Sequence, residues 1–323
     1  MSDLHLVDMG NELAKEPTRK GFGRGLLKAG QIDENVVAAC ADLTGSTCMD
    51  SFAKEFPERF VQVGVAEQNL VTVGSGLAAQ GKTPFVSSYA AFSPGRNWEQ
   101  IRTTICLNNQ PVNVVGSHAG ISVGPDGATH QMLEDIALMR VLPNMVVVVP
   151  CDGPEAERAT LALAKDDRPS YLRLAREASP IITTDKTPFE IGKAYVFSEG
   201  TDLTIISTGT MTAQAMIASE QLYKQGVEVE VVHVPTIKPL DKETILKSVR
   251  KTKKVITIEE GQVAGGLAGA VAELLAENYP APMKRLGVHD RFGESGTPAE
   301  LLEDFGLTAH HIKLAVHEFI SQK

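Results

Sequence analysis

Cysteine is scarce in this chain and tryptophan nearly absent, with four of the former and one of the latter in 323 residues. Cys40, Cys48, Cys106 and Cys151 form no Cys-x-x-Cys pair and have no histidine close by in the sequence. That argues against a zinc site or a disulfide framework and leaves them as small buried apolar side chains. No apolar run approaches the roughly 20 residues needed to cross a bilayer, so no membrane partner is expected. Residues 1–16 mix charges with isolated apolar side chains and lack a charged-then-apolar export signal, so a cytoplasmic location is expected. Lys and Arg number 31 against 40 Asp and Glu, and the net charge of −9 without a basic cluster argues against nucleic acid as a partner. The 43% hydrophobic content is that of an ordinary globular protein, and the length suits two domains of about 150 residues.

Short β-rich runs alternate with amphipathic stretches. Strands are expected over residues 36–40, 60–64, 85–88, 112–116, 145–149 and 171–174, with helices over 67–79, 98–108, 134–140 and 154–165. Continuously apolar strands such as 145–149 predict burial on both faces, as in a parallel sheet. Residues 177–187 are rich in Pro, Thr and Ser and lose periodicity, which marks a linker. A second α/β series follows: strands over 203–207, 227–234 and 254–258, helices over 212–225, 242–251 and 267–278, and two short terminal helices. The expected fold is α/β with two doubly wound domains, residues 1–185 and 186–323.

Two glycine-rich stretches invite a nucleotide-binding reading. Gly21, Gly23 and Gly25 follow no strand, so the dinucleotide fingerprint fails in context. Gly265, Gly266 and Gly269 do lie between a strand and a helix, where a phosphate could dock on the helix terminus. The order G-x-G-x-x-G is not met, and close helix–strand packing accounts for the glycines. A nicotinamide-binding protein rests on this loop alone. His310, His311 and His317 read as solvated surface.

The informative region runs from Arg19 to Arg176. It holds Thr18-Arg19-Lys20, then Ala41-Asp42-Leu43-Thr44-Gly45-Ser46, then Gly64-Val65-Ala66-Glu67-Gln68-Asn69. A loop from His118 to His130 follows, with Asp126 and three glycines. Glu67 falls at a strand-to-helix turn, where doubly wound sheets bind ligands, although a carboxylate there could equally serve the helix dipole. The loop is about a dozen residues long, more than a plain connection needs. Its histidines and carboxylate suit proton transfer or hydroxyl recognition, and the spacing gives a metal site no helical or turn geometry.

These clusters, in this order, resemble the pyrimidine-binding domain of transketolases. The likeness continues through Pro84-Phe85-Val86-Ser87-Ser88-Tyr89-Ala90-Ala91-Phe92 and Leu142-Pro143-Asn144. It reaches the carboxy-terminal transketolase domain at Asp290-Arg291-Phe292-Gly293-Glu294-Ser295-Gly296. The resemblance implies thiamine diphosphate as cofactor. It identifies Glu67 with the family's catalytic glutamate, whose hydrogen bond to the aminopyrimidine ring favours the imino tautomer that acts as base. Tyr89 and Phe92 match positions that stack on the pyrimidine, and Asp42 one close to the cofactor. His118 and His130 match histidines lining the substrate channel, and Asp126 the carboxylate that recognises a substrate hydroxyl. Arg19, Ser46 and Arg176 match residues that hold the distal phosphate of sugar phosphates, for which the arginine fork is suited.

Departures from the family pattern carry equal weight. Full-length transketolases begin with a domain whose Gly-Asp-Gly and downstream asparagine bind Mg2+ and the diphosphate, and no Gly-Asp-Gly occurs here. The resemblance therefore implies a split enzyme, with Mg2+ and the diphosphate site on a separate subunit and two copies of each chain. A third aromatic expected beyond Phe92 falls at Gly95 or Arg96, with Trp98 either a substitute or a packing residue. The implied reaction moves a two-carbon ketol unit from a ketose phosphate to an aldose. Deoxyxylulose-phosphate formation, ketol transfer on an unusual sugar, and a non-catalytic regulatory subunit are the alternatives.

Overall fold

A computed structural model describes residues 4–321. Two twisted sheets organise them. The first has seven strands, in spatial order Thr236–Lys238, Val146–Val148, Ser170–Arg173, Asn113–Ser117, Thr83–Tyr89, Val36–Cys40 and Phe60–Gln62. All neighbours are parallel except the edge strand Thr236–Lys238, which runs antiparallel to Val146–Val148. The second sheet has five strands, in the order Met283–Val288, Val255–Gln262, Leu203–Ser207, Val229–His233 and Tyr195–Ser198, with only the last antiparallel to its neighbour.

The alternation of side chains across each strand explains why the sheets are buried on both faces. In the first sheet Ala39, Val114, Val147 and Tyr171 enter one apolar cluster, while Ala38, Cys40, Val115, Val148 and Leu172 enter another on the opposite face. The first of these clusters continues into the second sheet through Ile206, Val232 and Val255 and onto helix Leu267–Asn278 through Leu267, so the two halves share an apolar layer. Both sheets are doubly wound α/β layers, as the residue pattern predicts.

Helix Glu67–Ala79 and strands Val36–Cys40 and Leu203–Ser207 form where the pattern places them. Elsewhere the structure corrects it. The helix expected over 98–108 is an α-turn at Trp98–Gln100 that widens into π-helical turns over Ile101–Cys106. Helix Thr18–Ile32 and strands Tyr195–Ser198, Thr236–Lys238 and Met283–Val288 were not read from the sequence. The first was hidden by Gly21, Gly23 and Gly25, which are poor helix formers. They are there for contact: a Cβ on Gly21 would collide with the Gly153 carbonyl, and one on Gly25 with Thr160 and the Glu157 carbonyl, on helix Gly153–Leu163. The segment at 177–187 is tied down at several points. Ser179–Pro180 pairs with Lys15–Glu16, and the Asp152 carboxylate accepts from the Ile182 and Thr183 amides at 2.8 and 2.7 Å.

Candidate active site

The candidate loops leave the carboxyl ends of parallel strands, where a doubly wound sheet opens a crevice. Asp42 follows Val36–Cys40, Tyr89 ends Thr83–Tyr89, His118 follows Asn113–Ser117, and Arg176 lies just beyond Ser170–Arg173. Glu67 opens helix Glu67–Ala79, whose Leu70, Val71, Gly74 and Ala78 at helical spacing pin it to the sheet.

Glu67 is only 5% exposed. Its carboxylate does not cap the helix; among the described residues its polar partner is Arg96, whose guanidinium donates to Oε2 at 3.3 Å. Asn97 fixes the backbone beneath by donating to the Glu67 carbonyl at 2.8 Å and to Ser93 Oγ at 3.1 Å. The Arg96 guanidinium also lies over the Phe92 ring, 4.1 Å from its centroid. A flat, N–H-donating cation therefore rests on an aromatic face while bonding a buried carboxylate.

Around this pair the rings gather. Tyr89 and Phe92 lie 6.1 Å apart at 19°, His118 stacks on Tyr89 at 3.8 Å, and His130 meets Phe92 edge-on at 5.3 Å. His118 is buried, adopts a positive φ of 57°, and has Nδ1 2.8 Å from Ser117 Oγ. Burial, reinforced by the positive charges of Arg19 and Arg176 and by His130, pushes its pKa down to about 3. His118 is thus a neutral imidazole at physiological pH. The folded state binds fewer protons here than the unfolded state, whose histidine titrates near 6.5. The associated stability is fully present above that value and is lost as pH falls towards 3. Proton NMR should find no His118 titration between pH 5 and 8, and a midpoint near 6.5 would refute this assignment.

The remaining candidates form an outer rim. Arg19 donates to the Ser46 carbonyl at 2.6 Å, so the contact uses the Ser46 backbone and leaves its hydroxyl outside it. Arg176 donates to the Val123 carbonyl at 2.7 Å and lies 3.5 Å from the Asp126 carboxylate, both side chains being 37% exposed. Asp42 is exposed at a φ of 61°, its amide donating to Gln62 Oε1 at 2.7 Å. His130 is half-buried, with Nδ1 2.9 Å from Thr129 Oγ1.

Sequence reasoning left Arg96 open and missed Ser117, Asn97 and Gln62. The available signal was Arg96 standing four residues beyond Phe92, on one face of a helical turn. Trp98 is a packing residue, with its indole N–H on the Leu138 carbonyl at 2.8 Å. The Gly265 loop is filled from within: the Glu259 carboxyl, buried and with its pKa pushed up to about 7 by that burial, accepts from the Leu267 and Ala268 amides at 2.8 Å each. A ligand phosphate has no such amides to claim. The fold also puts a histidine beside a cysteine, which the local spacing did not foretell. Cys151, Glu155 and His233 bring their ligand atoms within 4.8 Å, all buried. His233 is engaged at both nitrogens, by Glu155 Oε2 and Thr212 Oγ1 at 2.8 Å each.

Known families, proteins and structures resemble this chain. The family model "Transketolase, pyrimidine binding domain" matches residues 14–181, and "Transketolase, C-terminal domain" matches 192–312. A chain from Methanocaldococcus jannaschii, provisionally named a transketolase C-terminal section, is 45% identical over 303 residues, covering 93% of this chain and 95% of that one. The 6-deoxy-6-sulfo-D-fructose transketolase subunit SqwH of Clostridium sp. (strain MSTE9) is 42% identical over 298 residues, 92% of each. Among solved structures, "Split gene transketolase, inactive beta4 tetramer" superposes with a TM-score of 0.89 at 44% identity, covering 95% of this chain and 99% of the other.

Proposed function

The chain belongs to the transketolase family, as a carboxy-terminal, split-gene type of chain, and from that premise we propose that it is the pyrimidine-binding subunit of a heteromeric ketol transferase. Residues 1–185 carry the pyrimidine-binding domain and 186–323 the carboxy-terminal domain. A second subunit brings Mg2+ and the diphosphate site, with two copies of each chain, in the cytoplasm.

The observation that carries this reading is the Glu67–Arg96–Phe92 arrangement. A buried carboxylate at 3.3 Å from a planar N–H donor lying on an aromatic face is a chemical match for an aminopyrimidine in the donor's place. Glu67, Tyr89, Phe92 and Asp42 would hold that half of thiamine diphosphate. When bound, the coenzyme supplies the carbon nucleophile that breaks and remakes the ketol bond. Glu67 would hydrogen-bond the pyrimidine ring. His118, a neutral imidazole, can donate a hydrogen bond to a carbonyl or hydroxyl oxygen, while a pKa of about 3 makes it a weak proton acceptor. His130 lies across the aromatic rings from it, and Asp126 on the rim is an acceptor for a sugar hydroxyl. Arg19 and Arg176, with the Ser46 hydroxyl, form the cationic end for a phosphate.

The likeness to a subunit named for a sulfonated sugar supports a second form of the same reading. In that form the arginines receive a sulfonate, and the reaction is ketol transfer on a specialised sugar. Reconstitution tests both. Mixed with a Gly-Asp-Gly subunit from the same genome, thiamine diphosphate and Mg2+, the pair should turn over a ketose phosphate or sulfo-sugar at least about a thousandfold faster than the chain alone. Full activity of the isolated chain would refute the split-site reading. Product analysis with each donor, pyruvate included, distinguishes ketol transfer from deoxyxylulose-phosphate formation.

A further inference from the structure

We propose that Glu260, in the second domain, is a positioning residue that holds the His118–His130 loop of the first, so that the carboxy-terminal domain acts on the reaction by shaping that loop. The proposal rests on the reading of this loop as substrate-facing.

The second sheet has its own topological switch point. From Leu203–Ser207 the chain crosses to Val229–His233 on one side and then returns to Val255–Gln262 on the other. The crevice at the carboxyl ends of such strands is where doubly wound sheets take a ligand. Here it takes backbone from the other domain. Glu260, 4% exposed, accepts from the Ser122 amide through Oε1 at 2.7 Å and from the Thr210 hydroxyl through Oε2 at 3.0 Å. Gly120 makes the approach possible, because its φ is +90° and a Cβ there would strike the Glu260 carboxylate. A cleft of about 930 Å³ runs beside the contact, with Ser122, Thr210, Gln214 and Glu260 among its walls.

Two further ties act at the same loop. Gln131 Nε2 donates to the Ile121, Gly124 and Glu294 carbonyls at 3.2, 3.0 and 2.8 Å. The Asp290–Gly296 motif thereby packs over the loop, with Gly293 too close to Gln131 to carry a side chain. Arg173 donates to the Glu260 carbonyl at 2.8 Å and fixes that residue from behind.

An external hold is needed because little local structure fixes the loop, and its three glycines leave the backbone permissive. His118, Gly120, Gly124 and Gly127 all have positive φ, and regular secondary structure is limited to short 3-10 turns over Ile121–Asp126. A buried carboxylate accepting two hydrogen bonds supplies that hold, and removing it leaves the Ser122 amide buried without a partner.

Hydrogen–deuterium exchange on the full-length chain tests this without any assay of catalysis. Glu260→Ala should speed exchange over residues 118–131 by about tenfold or more while residues 67–79 stay within about twofold. Glu260→Gln keeps an acceptor for Ser122 and a partner for Thr210, and should restore protection. In the reconstituted pair, Glu260→Ala should raise KM for the sugar donor about tenfold, with coenzyme affinity within about twofold. Unchanged exchange over 118–131, or equal loss over 67–79, would overturn the proposal. If Glu260→Ala does not fold, Thr210→Val gives the same test, with about a twofold to threefold increase over 118–131 expected and no change refuting it. A loosened loop in a pair that transfers no ketol unit would support the hold on the loop and sink the functional reading instead.

Discussion

Glu67→Gln should lower turnover of the reconstituted pair by a factor of roughly 10²–10⁴, the range that a positioned acid–base group contributes. The amide keeps the volume and one acceptor oxygen but can no longer hold a proton between itself and a ring nitrogen. The fold should be unaffected. The partner Glu67 loses is a single contact at 3.3 Å from Arg96, whose side chain is 53% exposed. Glu67→Gln removes a buried charge rather than stranding one, and the Arg96 left behind is half-exposed to water, so the melting temperature should move by only a few degrees. Single-turnover kinetics and thermal unfolding on the same preparation separate the two effects. Near-normal turnover, or a collapse in stability that accounts for the lost activity, would remove Glu67 from its assigned role.

The largest stability effect is expected behind the site, at Arg173→Met. Asp135 is fully buried and accepts on Oδ2 from Arg173 Nε at 2.8 Å and from the Tyr171 hydroxyl at 2.7 Å, while its Oδ1 has no partner. Removing the guanidinium strands a carboxylate in an apolar interior, which costs about 3–5 kcal/mol. The same substitution deletes the contact to the Glu260 carbonyl, so the cost falls on the junction between the two sheets. Asp135→Asn combined with Arg173→Met removes the stranded charge and should recover more than half of the loss. Urea unfolding of the three variants measures this. A loss below about 1 kcal/mol in the single variant would mean that the pair contributes little beyond its packing.

The sequence carried a good deal of this by itself. Burial on both faces of a central strand favours an unbroken apolar run, and Val36–Cys40 and Val146–Val148 announce themselves that way. Helical spacing of Leu70, Val71, Gly74 and Ala78 announces helix Glu67–Ala79 and puts Glu67 at its start. The ordered clusters from Asp42 to Arg176 follow strands of one parallel sheet and so gather at its carboxyl end, where Arg19 reaches them from helix Thr18–Ile32. The rings of Tyr89, Phe92, His118 and His130 meet for that reason.

Tertiary structure alone decided what depends on pairing between distant segments. Strand Thr236–Lys238 lies in the second half of the chain yet closes the edge of the first sheet, and no local pattern marks which edge a three-residue strand will join. Helix Thr18–Ile32 forms against the propensity of its glycines because helix Gly153–Leu163 packs into the space they leave. Arg96 reaching Glu67, His233 reaching Glu155 and Glu260 reaching Ser122 are polar contacts between residues far apart in the chain. Periodicity reports how each segment meets the interior, so it reveals elements and faces. The partner of a buried charge is set by three-dimensional proximity, which no segment encodes alone.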